Sequence, residues 1–169
     1  SQIAWQLEAM VESFSLRGIL LDFQRSGCEE AQALADFLVE ELPCPVIVSA
    51  LYTSKNFPVF LPPVPPDVPL GEFLSPWQGR EIWLEAALGG LTYTVTEEGS
   101  TPSPLLHVPE KGLMDTALHC HYKIEEFENR VDFHLYRTRE DLRQLLKDAK
   151  SHGVTTAVGL YQELGFLEL

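Results

Sequence analysis

The sequence predicts an α/β fold built on a parallel sheet. Three observations carry that expectation. The first fifty residues alternate helix, strand, helix, strand. The stretch from Thr138 onward repeats helix then strand. The strands are nearly continuous apolar runs, as strands covered on both faces are. Such alternation implies right-handed βαβ units, because a parallel strand is reached only by a crossover that packs back onto the sheet.

Each element has its own signal. Residues 3–14 place Ala4, Leu7, Val11 and Phe14 at helical spacing. Residues 18–23 form a short apolar strand. Ser26 followed by Glu29 has the form of a capping box, and the helix it opens runs to about Leu42. Leu34, Phe37, Leu38 and Leu42 fall on one side of that helix, and Pro43 and Pro45 end it. Residues 46–51 are the next strand. The stretch Phe57–Pro69 holds six prolines and reads as a stiff loop. Leu70–Ser75 suits a short helix. Residues 81–87 and 91–96 are expected as further strands of the parallel layer, linked at Gly89-Gly90. Thr101–Gly112 reads as loop. Leu118–Ile124 and Arg130–Tyr136 suit an antiparallel hairpin that turns near Glu128-Asn129. Thr138, with Asp141 three residues on, caps a helix whose buried face is Leu142, Leu145, Leu146 and Ala149. Gly153 ends it. Residues 155–161 are the last strand.

Composition narrows the function classes. The chain has 169 residues, enough for one domain with a sizeable core. Its formal net charge of -13 argues against nucleic acid and anionic membranes as partners and leaves neutral or cationic ligands open. No apolar run is long enough for a membrane span, and the N-terminus lacks signal-peptide character. Cys28, Cys44 and Cys120 are odd in number and widely spaced, which is compatible with free thiols in a reducing compartment. No phosphate-binding glycine loop, Gly-x-Ser-x-Gly elbow or His-Glu-x-x-His occurs.

The segment Arg17-Gly18-Ile19-Leu20-Leu21-Asp22-Phe23-Gln24 is the most informative. Residues two apart on a strand share a face, so Leu20, Asp22 and Gln24 point the same way. The segment resembles the fourth strand of the family 18 glycoside hydrolases (chitinases and spore-cortex hydrolases), whose motif reads Asp-Gly-x-Asp-x-Asp-x-Glu. A second likeness lies toward the C-terminus. A hairpin from Tyr122 to Tyr136 precedes Thr138-Arg139-Glu140-Asp141-Leu142, a helix, Gly153-Val154, a strand, and Glu163-Leu164-Gly165. The family inserts a small α+β element before a similar helix and ends its last strand in Trp-Glu-Leu-Gly or a near variant. Strand order and the short link at Gly89-Gly90 are the third likeness.

The resemblance spans nearly the whole chain and implies a partial (β/α)8 barrel. A complete barrel typically needs about 250 residues. Residues 1–169 would supply strands four to eight, with the hairpin at 118–136 inserted. Strands one to three would lie in a missing N-terminal half or a partner chain, and self-association through an open five-stranded sheet is the alternative. No cofactor is implied. The family's proton donor falls on Gln24, and an amide does not titrate as a general acid must. Leu20 and Arg17 stand where the family has carboxylates, so Asp22 alone of the marker acids remains. The family's sugar-stacking Trp maps to Gln162.

Other candidates gather around this motif. Glu85, alone in an apolar strand, is costly to bury unless paired or solvated, and with Asp22 it would make a carboxylate pair. A structural ion pair with Arg80 is the plainer role for Glu85, as is loop capping or pairing with Arg25 for Asp22. Tyr52, Tyr161, Gln162 and Glu163 are candidates for lining a sugar site, with core packing or structural roles as their alternatives. His119-Cys120-His121 places two imidazoles where a metal could bind, but no third ligand is near in sequence, so no metal site is expected. Three functions follow. The first is a carbohydrate-binding domain with lost or altered hydrolysis. The second is an active glycosidase on N-acetylated glycans using Asp22 and Glu85. The third is a structural or assembly domain.

Overall fold

The computed structural model describes residues 2–23, 28–52 and 57–160. It is a mixed α/β structure with one parallel and one antiparallel sheet. The elements run α1 (Gln2–Phe14), β1 (Ile19–Leu21), α2 (Glu29–Glu41), β2 (Val46–Ser49), β3 (Val59–Leu61), α3 (Leu70–Leu74) with a 3-10 turn at Ser75–Trp77, and β4 (Ile82–Glu85). Then come β5 (Gly90–Thr96), β6 (Gly99–Pro104), β7 (Leu113–Asp115), β8 (Cys120–Phe127), β9 (Arg130–Tyr136), α4 (Arg139–Ser151) and β10 (Val154–Val158).

The parallel sheet has the order β1-β2-β3-β4-β10, so its strands lie side by side in chain order. Alternate residues of these strands are buried under the helices. Leu21, Val48, Val59 and Ile82 stand in one row of the register. Two core clusters result. Ala4, Ala35, Leu38 and Leu42 pack α1 and α2 on β1 and β2. Leu70, Leu74, Leu142, Leu145 and Ala149 pack α3 and α4 on β3, β4 and β10. Each of the fully buried leucines among them contributes about 1.5–3 kcal/mol. Gly18 is required where β1 begins, because a Cβ there would stand 2.9 Å from the Pro45 carbonyl oxygen.

Several expectations are corrected. Residues 91–96 do form a strand, but it pairs antiparallel with β6 and β9 and leaves the parallel layer. Its place in that layer is taken by β3, inside the proline-rich stretch read as loop. Pro58 and Pro62 bracket this three-residue strand, so the missing proline N–H groups fall outside it. Residues 101–104, also read as loop, belong to β6. The expected hairpin over 118–136 is real as β8 and β9, but it is the middle of a five-stranded antiparallel sheet, β6-β5-β9-β8-β7. Helix α2 opens at Glu29 with Cys28 as its N-cap and no side-chain capping bond, so Glu29 is not the third residue of a Ser26-capped helix. Ser26 itself lies outside the described residues. The capping box at Thr138 and Asp141 is present as expected.

The antiparallel sheet occupies the connection between β4 and α4 and therefore leaves the parallel sheet at its C-terminal edge. Open α/β sheets and barrels build their sites at that edge. Among the described residues β1 and β10 do not pair, so the parallel sheet has two open edges. No described helix is long and apolar enough to cross a membrane.

Candidate functional site

Strand alternation decides which side chains reach the face away from the helices. Leu20 pairs with Ile47, and Ser49, Phe60 and Trp83 follow one another across β2, β3 and β4. Asp22 continues that row from β1, and Glu85 stands two residues beyond Trp83 on the same side. Asp22 lies one residue past β1 and is exposed. Glu85 ends β4, is half-buried and is in register with Val158 of β10. Both carboxylates thus sit at C-terminal strand ends on one side of the sheet. Two strands intervene between them. Three strand spacings of about 4.8 Å, with a two-residue offset of about 6.6 Å along the strand, put their backbones roughly 16 Å apart over the sheet. Carboxyl pairs in glycosidases are about 5–9.5 Å apart, so both side chains must extend across the sheet face to meet that spacing.

Tyr52 is fully buried in the core under β1 and β2. Its hydroxyl donates to the backbone carbonyl of Phe23, and its ring meets the Phe23 ring edge-on with centroids 5.3 Å apart. It therefore fixes the backbone immediately after Asp22 from below. Gln24, Tyr161, Gln162 and Glu163 lie outside the described residues, as does Arg25.

The structure also assembles groups that the sequence kept apart. Arg137, on the link from β9 to α4, is 5% exposed. Its guanidinium donates to the carbonyls of Val64, Pro65, Leu118 and His119. Burial pushes its pKa down, opposed by the field of Cys120, Asp141 and Asp67. The Cys120 thiol donates to the Pro66 carbonyl at 3.3 Å. Tyr93 on β5 donates its hydroxyl to Asp67 at 2.6 Å, and that bond raises the phenol pKa. Together these contacts lock the proline-rich loop after β3 onto the antiparallel sheet. The sheet is thereby held as a wall beside the C-terminal edge.

The two candidate imidazoles have structural partners. His119 Nε2 lies 2.7 Å from the Asp148 carboxylate, and that bond pulls the Asp148 pKa down. His121 Nδ1 lies 2.8 Å from Asp141 and the ring stacks on Tyr136. Both carboxylates belong to α4, so the pair ties β8 to that helix. Among the described residues no group of three or more His, Cys, Asp or Glu could hold a metal.

The two faces of the antiparallel sheet differ. Leu91, Tyr93 and Val95 share a face with Val131, Phe133 and Leu135 and with Tyr122 and Ile124. The opposite face carries Thr92, Thr94, Asp132, His134, Lys123 and Glu125. The apolar face belongs to neither core cluster, and its side chains are half-buried or exposed. Three aromatic rings, Tyr93, Tyr122 and Phe133, stand on it. Sequence reading left them unassigned. Their signal was the strict alternation of apolar and polar residues along 91–96 and 130–135, which marks strands with one face open.

No family model and no curated protein matches the sequence. Solved structures do match. The chain is similar to the spore cortex-lytic enzyme SleL of Bacillus cereus, with a TM-score of 0.56 and 15% identity over 93% of this chain and 48% of that one. SleL of Bacillus megaterium QM B1551 matches with a TM-score of 0.50 and 12% identity over 92% of this chain and 48% of that one. The putative sporulation-specific glycosylase ydhD of Bacillus subtilis matches with a TM-score of 0.56 and 10% identity, over 92% of this chain and 69% of that one. At these identities the likeness is one of fold alone. The chain spans about half the length of the two SleL chains.

Proposed function

We propose that this chain is the C-terminal half of a (β/α)8 barrel of the family 18 glycoside hydrolase type, and that it binds carbohydrate with hydrolysis lost or altered. The observation that carries the reading is topological. Five parallel strands lie in chain order, and an antiparallel insertion leaves the fourth at its C-terminal end, in a chain whose fold is like that of two spore cortex-lytic enzymes and a putative sporulation-specific glycosylase. The altered chemistry rests on Gln24, the amide where the family has its acid. The apolar face with Tyr93, Tyr122 and Phe133 supports a sugar-binding role, because aromatic faces pack against the C–H faces of sugar rings. In this reading Asp22 orients the ligand at the strand mouth and Tyr52 holds the backbone beside it, and Gln24, Tyr161, Gln162 and Glu163 are proposed as further ligand-binding residues.

The test uses a fluorogenic chitobioside with wild type, Asp22→Asn and Glu85→Gln. General acid catalysis contributes about 10²–10⁴-fold, so its loss leaves wild type near background. The expected result is no turnover, with glycan binding weakened by Asp22→Asn. Turnover abolished by Glu85→Gln makes the chain a glycosidase with a relocated acid. Neither binding nor turnover leaves an assembly role and removes the carbohydrate reading.

A further inference from the structure

The open face of the antiparallel sheet carries a groove lined by aromatic rings and a carboxylate. A depression of about 380 Å³ crosses the sheet diagonally, from Ser100 on β6 to Asp115 on β7. Tyr93, Phe133 and Tyr122 line its middle. Small-ligand sites typically occupy about 300–1,000 Å³, so the space suits part of a chain-like ligand lying across the strands. The three rings offer faces that pack against a sugar ring and also attract cations.

Carboxylates supply the local charge. Asp115 lines one end of the groove. Its Oδ1 accepts from the backbone N–H groups of Ala117 and Leu118, which leaves Oδ2 for a ligand. Asp67 stands one hydrogen bond behind Tyr93. Neither carboxylate has an ion-pair partner among the described residues. Arg137, whose field both Asp67 and Cys120 feel, is buried and directs its N–H groups at backbone carbonyls. The formal charge of -13 acts in the same sense over longer range.

The geometry points to a glycan bearing free amino groups, a glucosamine-type chain, as the ligand of this groove. This rests on the carbohydrate reading above and names its sugar class. Sugar faces stack on Tyr93, Phe133 and Tyr122 while an ammonium group reaches Asp115. An N-acetylated sugar keeps the stacking and loses the charge contact. A sugar carrying carboxylates meets repulsion.

Titration calorimetry of the chain with a glucosamine tetramer and with its fully N-acetylated counterpart decides the matter. The free-amine tetramer is expected to bind at least about tenfold tighter. That preference should shrink in 1 M salt, where the screening length falls to about 3 Å from about 10 Å at 0.1 M. Asp115→Asn should abolish the preference and leave the fold intact, because the amide oxygen still accepts from Ala117 and Leu118. Phe133→Ala should weaken both ligands alike. Equal binding of both tetramers, or a preference that survives Asp115→Asn, overturns the amine inference and leaves carbohydrate binding standing. Binding of neither tetramer overturns both.

Discussion

Arg137 is the residue on which the junction between the two sheets depends. Its four carbonyl acceptors come from two segments, the loop after β3 and the turn before β8, neither of which can satisfy those carbonyls by itself. Hydrogen bonds from a charged donor contribute about 1.5–3 kcal/mol, and buried acceptors left unpaired cost about 1–3 kcal/mol. Arg137→Ala should therefore lower the urea midpoint of unfolding by the equivalent of about 3 kcal/mol. Arg137→Lys should restore little, since an ammonium cannot reproduce the planar fork. An unchanged midpoint in Arg137→Ala would mean that the clamp is not what joins the sheets. Cys120 offers a second test at this scale. Burial, with the fields of Asp115, Asp141 and Asp67 and against that of Arg137, pushes its thiol up to about 11 from an ordinary 9.0. The folded state therefore holds its proton more tightly than the unfolded chain does. The stability that this supplies is complete below pH 9.0 and is lost as pH rises toward about 11. At neutral pH a thiol reagent should label Cys28 and leave Cys120 untouched until denaturant is added. Rapid native labelling of Cys120 would show that the junction opens readily.

At the scale of elements, α4 is the best-defined helix and the one that links both sheets. Thr138 Oγ1 accepts from the Asp141 N–H at 3.2 Å, and Asp141 accepts from the Thr138 N–H at 2.7 Å and from His121. Thr138→Ala should cost about 1–2 kcal/mol in thermal or urea unfolding, with Thr138→Ser close to wild type. Equal loss in both would point to the threonine methyl instead of the cap. This helix was legible because its cap, its buried stripe and its stop at Gly153 all agree in the sequence. The strands at 18–23, 46–51 and 81–87 were legible as continuous apolar runs. Strand β3 was not, because three residues between Pro58 and Pro62 give no periodicity, and only pairing on both sides makes Val59–Leu61 a strand. Strand β5 was legible as a strand but not by its sheet. Leu91, Tyr93 and Val95 alternate with Thr92, Thr94 and Thr96, the pattern of a half-open antiparallel strand, and that alternation was outweighed by chain order. The candidate site was legible only where a strand carried it. Asp22 and Glu85 stood out as candidates because a carboxylate at the end of an apolar run is conspicuous. Tyr93 and Asp67 were not paired, since they come together only through tertiary packing of a loop on a distant sheet.

Taken whole, the molecule exposes a set of apolar surfaces around β1. Among the described residues β1 is one of the two open edges of the parallel sheet, and Leu20 on it is exposed. Helix α1 buries Ala4 but leaves Ile3, Met10 and Phe14 exposed along one stripe. Beside them a cavity of about 550 Å³, walled by Leu16, Leu20, Ile47, Pro58 and Trp83, opens on the face away from the helices. These exposures are contiguous in kind. A strand edge offers backbone hydrogen bonds, the helix stripe offers an apolar seam, and the cavity offers a socket for side chains. A barrel completed by three further parallel βα units would cover all of them at once, whether those units come from the same polypeptide or from another copy. The expected behaviour of these 169 residues alone is concentration-dependent association, measured by sedimentation at micromolar loading. Leu20→Lys should oppose it by placing a charge on the free edge, and Phe14→Glu by breaking the helix seam. Both substitutions are at exposed positions, so folding by circular dichroism should hold while the sedimentation coefficient falls. A wild-type chain that sediments as a monomer at every concentration, with both variants indistinguishable from it, would mean that these surfaces need no cover and would remove the half-barrel reading.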